Sequence, residues 1–324
     1  MARQILRIQF GSHLYGTSTP SSDFDVKSIF VPDARSILLQ RAKRVVNDQR
    51  PKAEKEKNYA GEVEEERFSL QRFLELASEG QTVALDVLFA PAWAATEPPA
   101  PEWGEIIANR HRLLTRKSAA FIGYARQQAN KYGIRGSRVA ASRAALKLLA
   151  DAFSSTDKLA TLDVSIRALC DTHEHMALHE DRTPHGQTVI LWEVCNRKMP
   201  FTASIKNAHD IMKRLVDEYG KRALMAESQQ GVDWKALSHA VRVGSQAIEL
   251  LDTGFVTFPL PNAAHVLEIK QGKLPYQEVA AEIEDLLVRV EAAAARSALP
   301  DEPDLEWIDD FVASVYRTEV LGAV

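Results

Sequence analysis

The sequence predicts an α+β protein, in which a small mixed-sheet domain is followed by a mainly helical domain. Three observations carry that prediction. Short strand-like runs occupy the first hundred residues, longer segments with helical periodicity fill most of the remainder, and a Pro-rich stretch, Ala94-Ala-Thr-Glu-Pro-Pro-Ala-Pro-Glu102, separates the two. The boundary this gives is 1–100 for the sheet domain and 101–324 for the helical one.

Residues 4–10 read as a strand because Ile5, Leu6, Ile8 and Phe10 form a short apolar run that ends at Gly11-Ser12, where a helix begins. Residues 23–32 read as a second strand, closed by Pro32. The charged stretch Arg50–Lys57 reads as a loop. Tyr59 to Phe68 reads as a third strand leading into an amphipathic helix with Leu70, Phe73, Leu74 and Ala77 on one face and Gly80 at its end. Val83 to Phe89 is a further apolar segment, read as another strand that also borders the site. Beyond the Pro-rich link, helical periodicity marks 104–115, 116–132, 137–153, 204–227, 234–252, 276–295 and 304–320.

The chemistry concentrates in Phe10-Gly-Ser-His-Leu-Tyr-Gly-Thr-Ser-Thr-Pro-Ser-Ser-Asp-Phe-Asp-Val26. Small residues at the end of a strand let backbone N–H groups approach a polyphosphate, and a helix start adds free donors. Asp23 and Asp25 alternate with Phe24 and Val26, so a strand turns both carboxylates to one face. Hard oxygen ligands in that arrangement suit Mg²⁺ (or Mn²⁺), which takes one or two carboxylates plus substrate phosphates. Gly16 and Thr17 shape the loop between helix and strand, Ser22 caps its end, and His13 and Tyr15 face either the helix packing or the nucleotide, with packing favoured for His13.

This segment resembles the signature of the DNA polymerase β-type nucleotidyltransferase superfamily: an apolar residue, Gly-Gly or Gly-Ser, a spacer, then Asp-apolar-Asp/Glu-apolar. Phe10, Gly11, Ser12, Asp23, Phe24, Asp25 and Val26 fill those slots. In the fuller pattern Gly-Ser-His-x-Tyr-Gly-Thr-x-x-Pro-x-Ser-Asp-x-Asp it is similar to the RNA-ligase-associated nucleotidyltransferase group of bacteria and phages. The resemblance implies a polymerase-β-like catalytic domain that transfers a nucleoside monophosphate from a triphosphate to a hydroxyl. It implies two divalent metal ions and an RNA end as acceptor. It also implies a third carboxylate, which alignment of Glu64-Glu-Glu-Arg-Phe-Ser-Leu-Gln-Arg-Phe73 places at Glu64. Glu62 and Glu66 lie two residues away on the same strand face, and Asp86 is a further alternative. Ser12 would offer its hydroxyl and N–H to the β- or γ-phosphate.

A second block, Trp234-Lys-Ala-Leu-Ser-His-Ala-Val-Arg242 with the segment through Lys273, resembles the same group's C-terminal helical region. Lys235, His239 and Arg242 fall at i, i+4 and i+7 on one helix face, opposite Leu237, Val241, Ile248 and Leu251. Such a cationic stripe would grip the triphosphate or the acceptor backbone.

Composition fits this reading. Hydrophobic residues make up 45% and charged residues 26%, ordinary for a globular chain. No secretory signal and no bilayer-length apolar run is present, so a membrane partner is not expected and a cytoplasmic location is. The net charge of −4 is uneven: Arg110 to Lys147 carries ten Lys or Arg and no Asp or Glu. Such segregation suits a polyanionic partner, a nucleoside triphosphate or RNA. Cys170, His173, His175, His179, His185 and Cys195 lack the paired short spacings of a zinc site and read as a solvated loop within 150–230, a segment that looks like an insertion. Its Arg197-Lys198 pair could contact the acceptor. Two alternatives remain: nucleotidylation of a protein or small molecule, and a nucleotide-binding module without catalysis. The presence of both Asp23 and Asp25 speaks against the last.

Overall fold

The computed structural model describes residues 2–48, 62–116, 136–173, 175–182, 188–228 and 232–322. The chain divides into two compact units, and the division does not fall near residue 100. The first unit comprises Met1–Arg126, Ser238–Gln271 and Leu286–Val324; the second comprises Gln127–Leu237 and Gly272–Asp285.

The first unit is built on four strands, β1 (Arg3–Gln9), β2 (Phe24–Val31), β3 (Val45–Asp48) and β4 (Val63–Ser69), in the order β1-β2-β4-β3. β1 and β2 are antiparallel, β2 and β4 parallel, and β3 and β4 antiparallel, so the sheet is mixed as expected. Strand β3 was not legible as a strand because its Val45-Val-Asn-Asp48 has only two apolar residues and lies mostly exposed. Between β1 and β2 sits the single-turn helix α1 (Gly11–Tyr15). Helix α2 (Ala34–Leu38) follows β2, capped by Asp33, whose side chain accepts from the Ser36 N–H at 3.1 Å. Helix α3 (Leu70–Ser78) buries Leu70, Phe73, Leu74, Leu76 and Ala77, and Ser69 caps it.

The segment expected as another strand is instead helix α4 (Thr82–Leu88). Its seven residues are apolar almost throughout and all of Ala84 to Leu88 are buried, so neither a period of 2 nor one of 3.6 shows in the sequence. Helix α5 (Pro101–Ala108) starts at the Pro-rich stretch, with Pro101 in its first turn, and a 3₁₀ turn spans Arg110–Leu113.

The C-terminal helices explain why the first unit reaches the end of the chain. Val243, Ala247, Leu250 and Leu251 belong to helix α9 (Trp234–Thr253). Val290 and Ala293 belong to α11 (Tyr276–Arg296), and Ile308, Phe311 and Val315 to α12 (Leu305–Gly322). All join one buried cluster with Ile5, Leu6, Ile8, Ile29, Val31, Phe68, Phe73, Leu85 and Leu88. The Pro-rich stretch runs along β1, where Thr96 N–H donates to Arg7 O at 2.9 Å and Ala100 N–H to Ile5 O at 2.8 Å. It is a strap on the sheet's edge rather than a link out of the domain.

The second unit has its own buried cluster. Helix α6 (Gly136–Asp151) supplies Ala141, Ala145 and Leu149, and helix α8 (Ile205–Ser228) supplies Ala208, Met212, Leu215 and Tyr219. Both pack with Trp192, Val194 and Met199 of an antiparallel sheet, β5 (Met176–Arg182), β6 (Thr188–Val194) and β7 (Arg197–Pro200). Helix α7 (Asp163–Thr172) contributes Ile166, and α10 (Ala263–Lys270) belongs to the first unit. The expected His-rich loop is therefore largely sheet: His179 lies on β5 with Nε2 3.0 Å from the Glu193 carboxylate on β6. The expected helix over 117–132, the Arg50–Lys57 loop, His185, and Lys117, Arg126, Lys131 and Arg135 of the basic stretch lie outside the described residues. No helix among the described residues is long and apolar enough to cross a membrane.

Candidate active site

Strand pairing brings the carboxylates of the motif to one end of the first unit's sheet. The β1–β2 ladder ends at Gln9↔Val26, and Phe10 N–H continues it by donating to Asp25 O at 2.8 Å. Gly11 then adopts φ +60, and a Cβ built there would stand 2.1 Å from Asp25 Oδ2 and 2.9 Å from its Cγ. The Asp25 carboxylate is thus lodged against the backbone of the Gly11-Ser12 turn, in space that only glycine leaves open. Ser12 O accepts from Thr17 N–H at 2.9 Å and closes the turn; Thr17 is buried. Gly16 ends α1 at φ +76, where a Cβ would meet Pro259 Cβ at 2.9 Å. Gly16 and Thr17 therefore hold the loop rather than line open space. Ser22 caps it, its Oγ accepting from Thr19 N–H at 2.9 Å.

Parallel pairing of β2 with β4 sets Asp25 opposite Glu64, Phe24 opposite Val63 and Lys27 opposite Glu66. Residues in register on neighbouring strands share a face, so Asp25 and Glu64 do. Their neighbours on β4 have other surroundings: Glu66 pairs with Lys27 Nζ at 2.7 Å, and Glu62 is 3% exposed, its carbonyl accepting from Phe24 N–H at 2.8 Å. Asp23 is half-buried immediately before β2. Among the described residues no group of three or more His, Cys, Asp or Glu side chains converges as a metal would require, these carboxylates and the Cys/His set included. The donor set nevertheless fits a hard divalent ion: all oxygen, on adjacent strands, beside a Ser12 Oγ that is shielded from solvent without a hydrogen-bond partner.

Asp86 is not a member of this set. It lies on α4, 1% exposed, and its Oδ2 accepts from Tyr15 OH at 2.8 Å and from an Arg242 guanidinium N–H at 3.0 Å, while Oδ1 accepts from Gln246 Nε2 at 2.8 Å. Burial raises the Asp86 carboxyl above its ordinary range despite Arg242, and burial raises the Tyr15 phenol well above its own. Arg242 also donates to Gln246 Oε1 at 2.6 Å and lies 4.1 Å from the Tyr15 ring centroid. The expected cationic stripe is corrected accordingly. Arg242 points inward and is 6% exposed, because on its own face of α9 Ser238 at i−4 and Gln246 at i+4 are buried too. His239 is half-buried with Nδ1 3.0 Å from Arg242 NH2; the guanidinium can only donate, so Nδ1 accepts and Nε2 carries the proton of the neutral ring. Lys235 lies exposed on the first turn of the helix.

Two features escaped the sequence reading. The Tyr15–Asp86–Arg242–Gln246 network ties α1 to α4 and α9; its one trace in the sequence is an aspartate inside the apolar run Ala84-Leu-Asp-Val-Leu88. The other is a stack of His13 on Phe24, ring centroids 4.4 Å apart and planes 8° from parallel. Of the basic stretch, Arg112 and Arg116 pair with Asp304 and Asp301 at 2.6 and 2.5 Å, and Arg110 lies over Phe89 and Phe255.

Comparison with known proteins identifies the family. The profile of RlaP, described as the RNA repair pathway DNA polymerase beta family, matches residues 2–149. The chain is 36% identical over 329 residues, 97% of either protein, to the uncharacterized 38.9 kDa protein of the nrdC-mobD intergenic region of Enterobacteria phage T4. No solved structure matches it. With the mixed sheet, the Gly-Ser turn and the paired carboxylate strands in place, the chain belongs to the RNA repair pathway DNA polymerase beta family.

Proposed function

We propose that the protein is a metal-dependent nucleotidyltransferase that moves a nucleoside monophosphate from a nucleoside triphosphate to a hydroxyl at an RNA end. The observation that carries this reading is the Asp25 carboxylate lodged against Gly11, with Glu64 opposite it on the next strand. In the reaction the hydroxyl oxygen bonds to the α-phosphorus, the bond between that phosphorus and the α,β-bridging oxygen breaks, and pyrophosphate leaves. The hydroxyl proton must depart as the new bond forms.

Asp23, Asp25 and Glu64 would hold Mg²⁺ or Mn²⁺, which supplies charge neutralisation on the entering and leaving oxygens. The chain's own residues do the rest. Gly11 makes the room in which the Asp25 carboxylate sits, and the Ser12 hydroxyl donates to a non-bridging oxygen. Glu64, nearest the acceptor in this assignment, accepts the hydroxyl proton at its carboxylate. Gly16 and Thr17 keep the turn rigid, and Tyr15, Asp86 and Arg242 anchor it from below. The family's RNA repair description supports an RNA acceptor, and a cytoplasmic setting suits the two free cysteines.

The test is incubation with each α-labelled triphosphate, Mg²⁺ or Mn²⁺, and separate RNA, DNA and cell-protein acceptors. Label on RNA is expected; label on a polypeptide instead would replace this acceptor, and label persisting in an Asp23→Asn, Asp25→Asn double variant would sink the carboxylate assignment.

A further inference from the structure

The face of the sheet that carries Asp25 and Glu64 changes character over three successive rungs. In the first, Asp25 stands opposite Glu64. Two residues further along each strand, and so on the same face, Lys27 stands between Ile8 of β1 and Glu66 of β4, with Asn47 of β3 beyond. In the third, Leu6, Ile29 and Phe68 are buried in the core. Lys27 therefore belongs to the layer between the carboxylates and the core, and its side chain is 17% exposed. Its Nζ is 2.7 Å from Glu66 Oε2 and 5.3 Å from the ring centroid of Phe10, the residue that leads into the Gly11-Ser12 turn. Burying an ammonium costs free energy unless it is paired, and an apolar residue here would extend the core at no such cost. Packing alone does not call for a lysine at this position; the carboxylates on the rung beside it do.

We propose that Lys27 is a positioning residue that sets the affinity of this carboxylate face for a divalent metal ion. It withholds Glu66 from the ion and offsets one negative charge beside Asp25 and Glu64. The inference rests on the reading of those carboxylates as metal ligands given above. The Cα atoms of Lys27 and Asp25, two residues apart on one strand, are about 7 Å from each other. Charges at that separation still act on one another at physiological salt, where screening sets in over about 8 Å. With Lys27 in place the face holds an ion weakly by itself, and substrate phosphates complete the ion's shell, as suits Mg²⁺. The ion then arrives with the triphosphate instead of binding ahead of it. The pair also separates the roles of Glu64 and Glu66, which share a strand face: Glu66 is engaged by the ammonium, and Glu64 stands opposite Asp25.

The experiment is titration of the full chain with Mn²⁺ in the absence of nucleotide, followed by the EPR signal of the free ion, with folding checked by thermal melting. Lys27→Met should bind Mn²⁺ roughly 2- to 10-fold more tightly than wild type, the effect of a unit charge about 7 Å from a divalent ion in a screened, watery site. Lys27→Gln, which can still donate to Glu66, should tighten binding as well, and Lys27→Arg should match wild type. A purely structural role predicts the opposite sign, since loosening the sheet beneath the carboxylates would weaken binding. Equal or weaker binding by folded Lys27→Met and Lys27→Gln, or no measurable binding by any of these proteins, would overturn the proposal. Adding Asp25→Asn to Lys27→Met should abolish the gain; a gain that survives it would place the ion elsewhere and overturn the proposal as well. Mn²⁺ binding that depends on Asp25 but not on the charge at Lys27 would remove the role of Lys27 and leave the transferase reading standing. Tightening by Lys27→Met in a protein that transfers to no acceptor would overturn the transferase reading and leave the role of Lys27 standing.

Discussion

Replacing Gly11 by alanine sets a methyl carbon 2.1 Å from Asp25 Oδ2 and 2.9 Å from Asp25 Cγ. Non-bonded heavy atoms settle at about 3.5 Å, so the carboxylate or the turn must retreat by more than 1 Å. The backbone adds its own cost, since φ at this position is +60 and a left-handed conformation costs a residue with a Cβ roughly 1–2 kcal/mol. Urea denaturation should therefore show a loss of about 1–3 kcal/mol at unchanged m. The effect on transfer should be larger than stability alone explains, because a misplacement of about 1 Å in a positioned group costs on the order of 10²-fold in rate. Gly104→Ala is the matched control: a Cβ there meets nothing within 4 Å, and in helix α5 it should leave stability unchanged or raised by up to about 1 kcal/mol. A Gly11→Ala protein that folds and transfers label at the wild-type rate would refute the claim that Asp25 works from its place against this turn.

Further outcomes follow from the same geometry. Glu64→Gln should lower transfer by at least about 10²-fold, whereas Glu66→Gln should keep the rate and cost about 1 kcal/mol or less through loss of the Lys27 pair; the reverse pattern would move the third carboxylate. Arg242→Met should destabilise by about 3–5 kcal/mol, because it leaves Asp86 buried without its cation, and denaturant midpoints check it. Tyr15→Phe removes the bond to Asp86 at a cost of about 1–3 kcal/mol. It should also change the alkaline limb of stability. The folded-state phenol titrates well above its ordinary 10.0, so the folded protein keeps this proton after the unfolded chain has lost it. The Tyr15 contribution is thus complete below pH 10 and declines as pH rises toward the folded value; urea midpoints from pH 9 to 11 should fall more steeply in wild type than in Tyr15→Phe.

The carboxylate end of the fold was legible because its signals are local. A strand, a Gly-Ser turn and Asp-Phe-Asp at fixed spacing leave few arrangements, and alternation puts Asp23 and Asp25 on one face before any tertiary contact is known. The role of Arg242 was not legible. The charged side of α9 looks solvated by periodicity, and only the burial of Ser238 and Gln246 on that side shows that the guanidinium has to be paired inside. Helix α4 hid for a related reason, since in a seven-residue segment with five apolar residues and all of Ala84 to Leu88 buried no face stands out. The unit boundary was misplaced because proline content marks irregular backbone and not separation: residues 95–100 hydrogen-bond along β1, and α9, α11 and α12 complete the core that the first strands begin.

The most direct test is a rate measurement on a single carboxylate. With an α-labelled triphosphate, Mg²⁺ and an RNA acceptor, initial label transfer is compared between wild type and Asp25→Asn, with folding of both checked by thermal melting. Transfer in wild type and a loss of at least about 10³-fold in a folded Asp25→Asn protein is the predicted result. Comparable transfer by the two proteins would contradict the assignment of the reaction to the carboxylate lodged against Gly11.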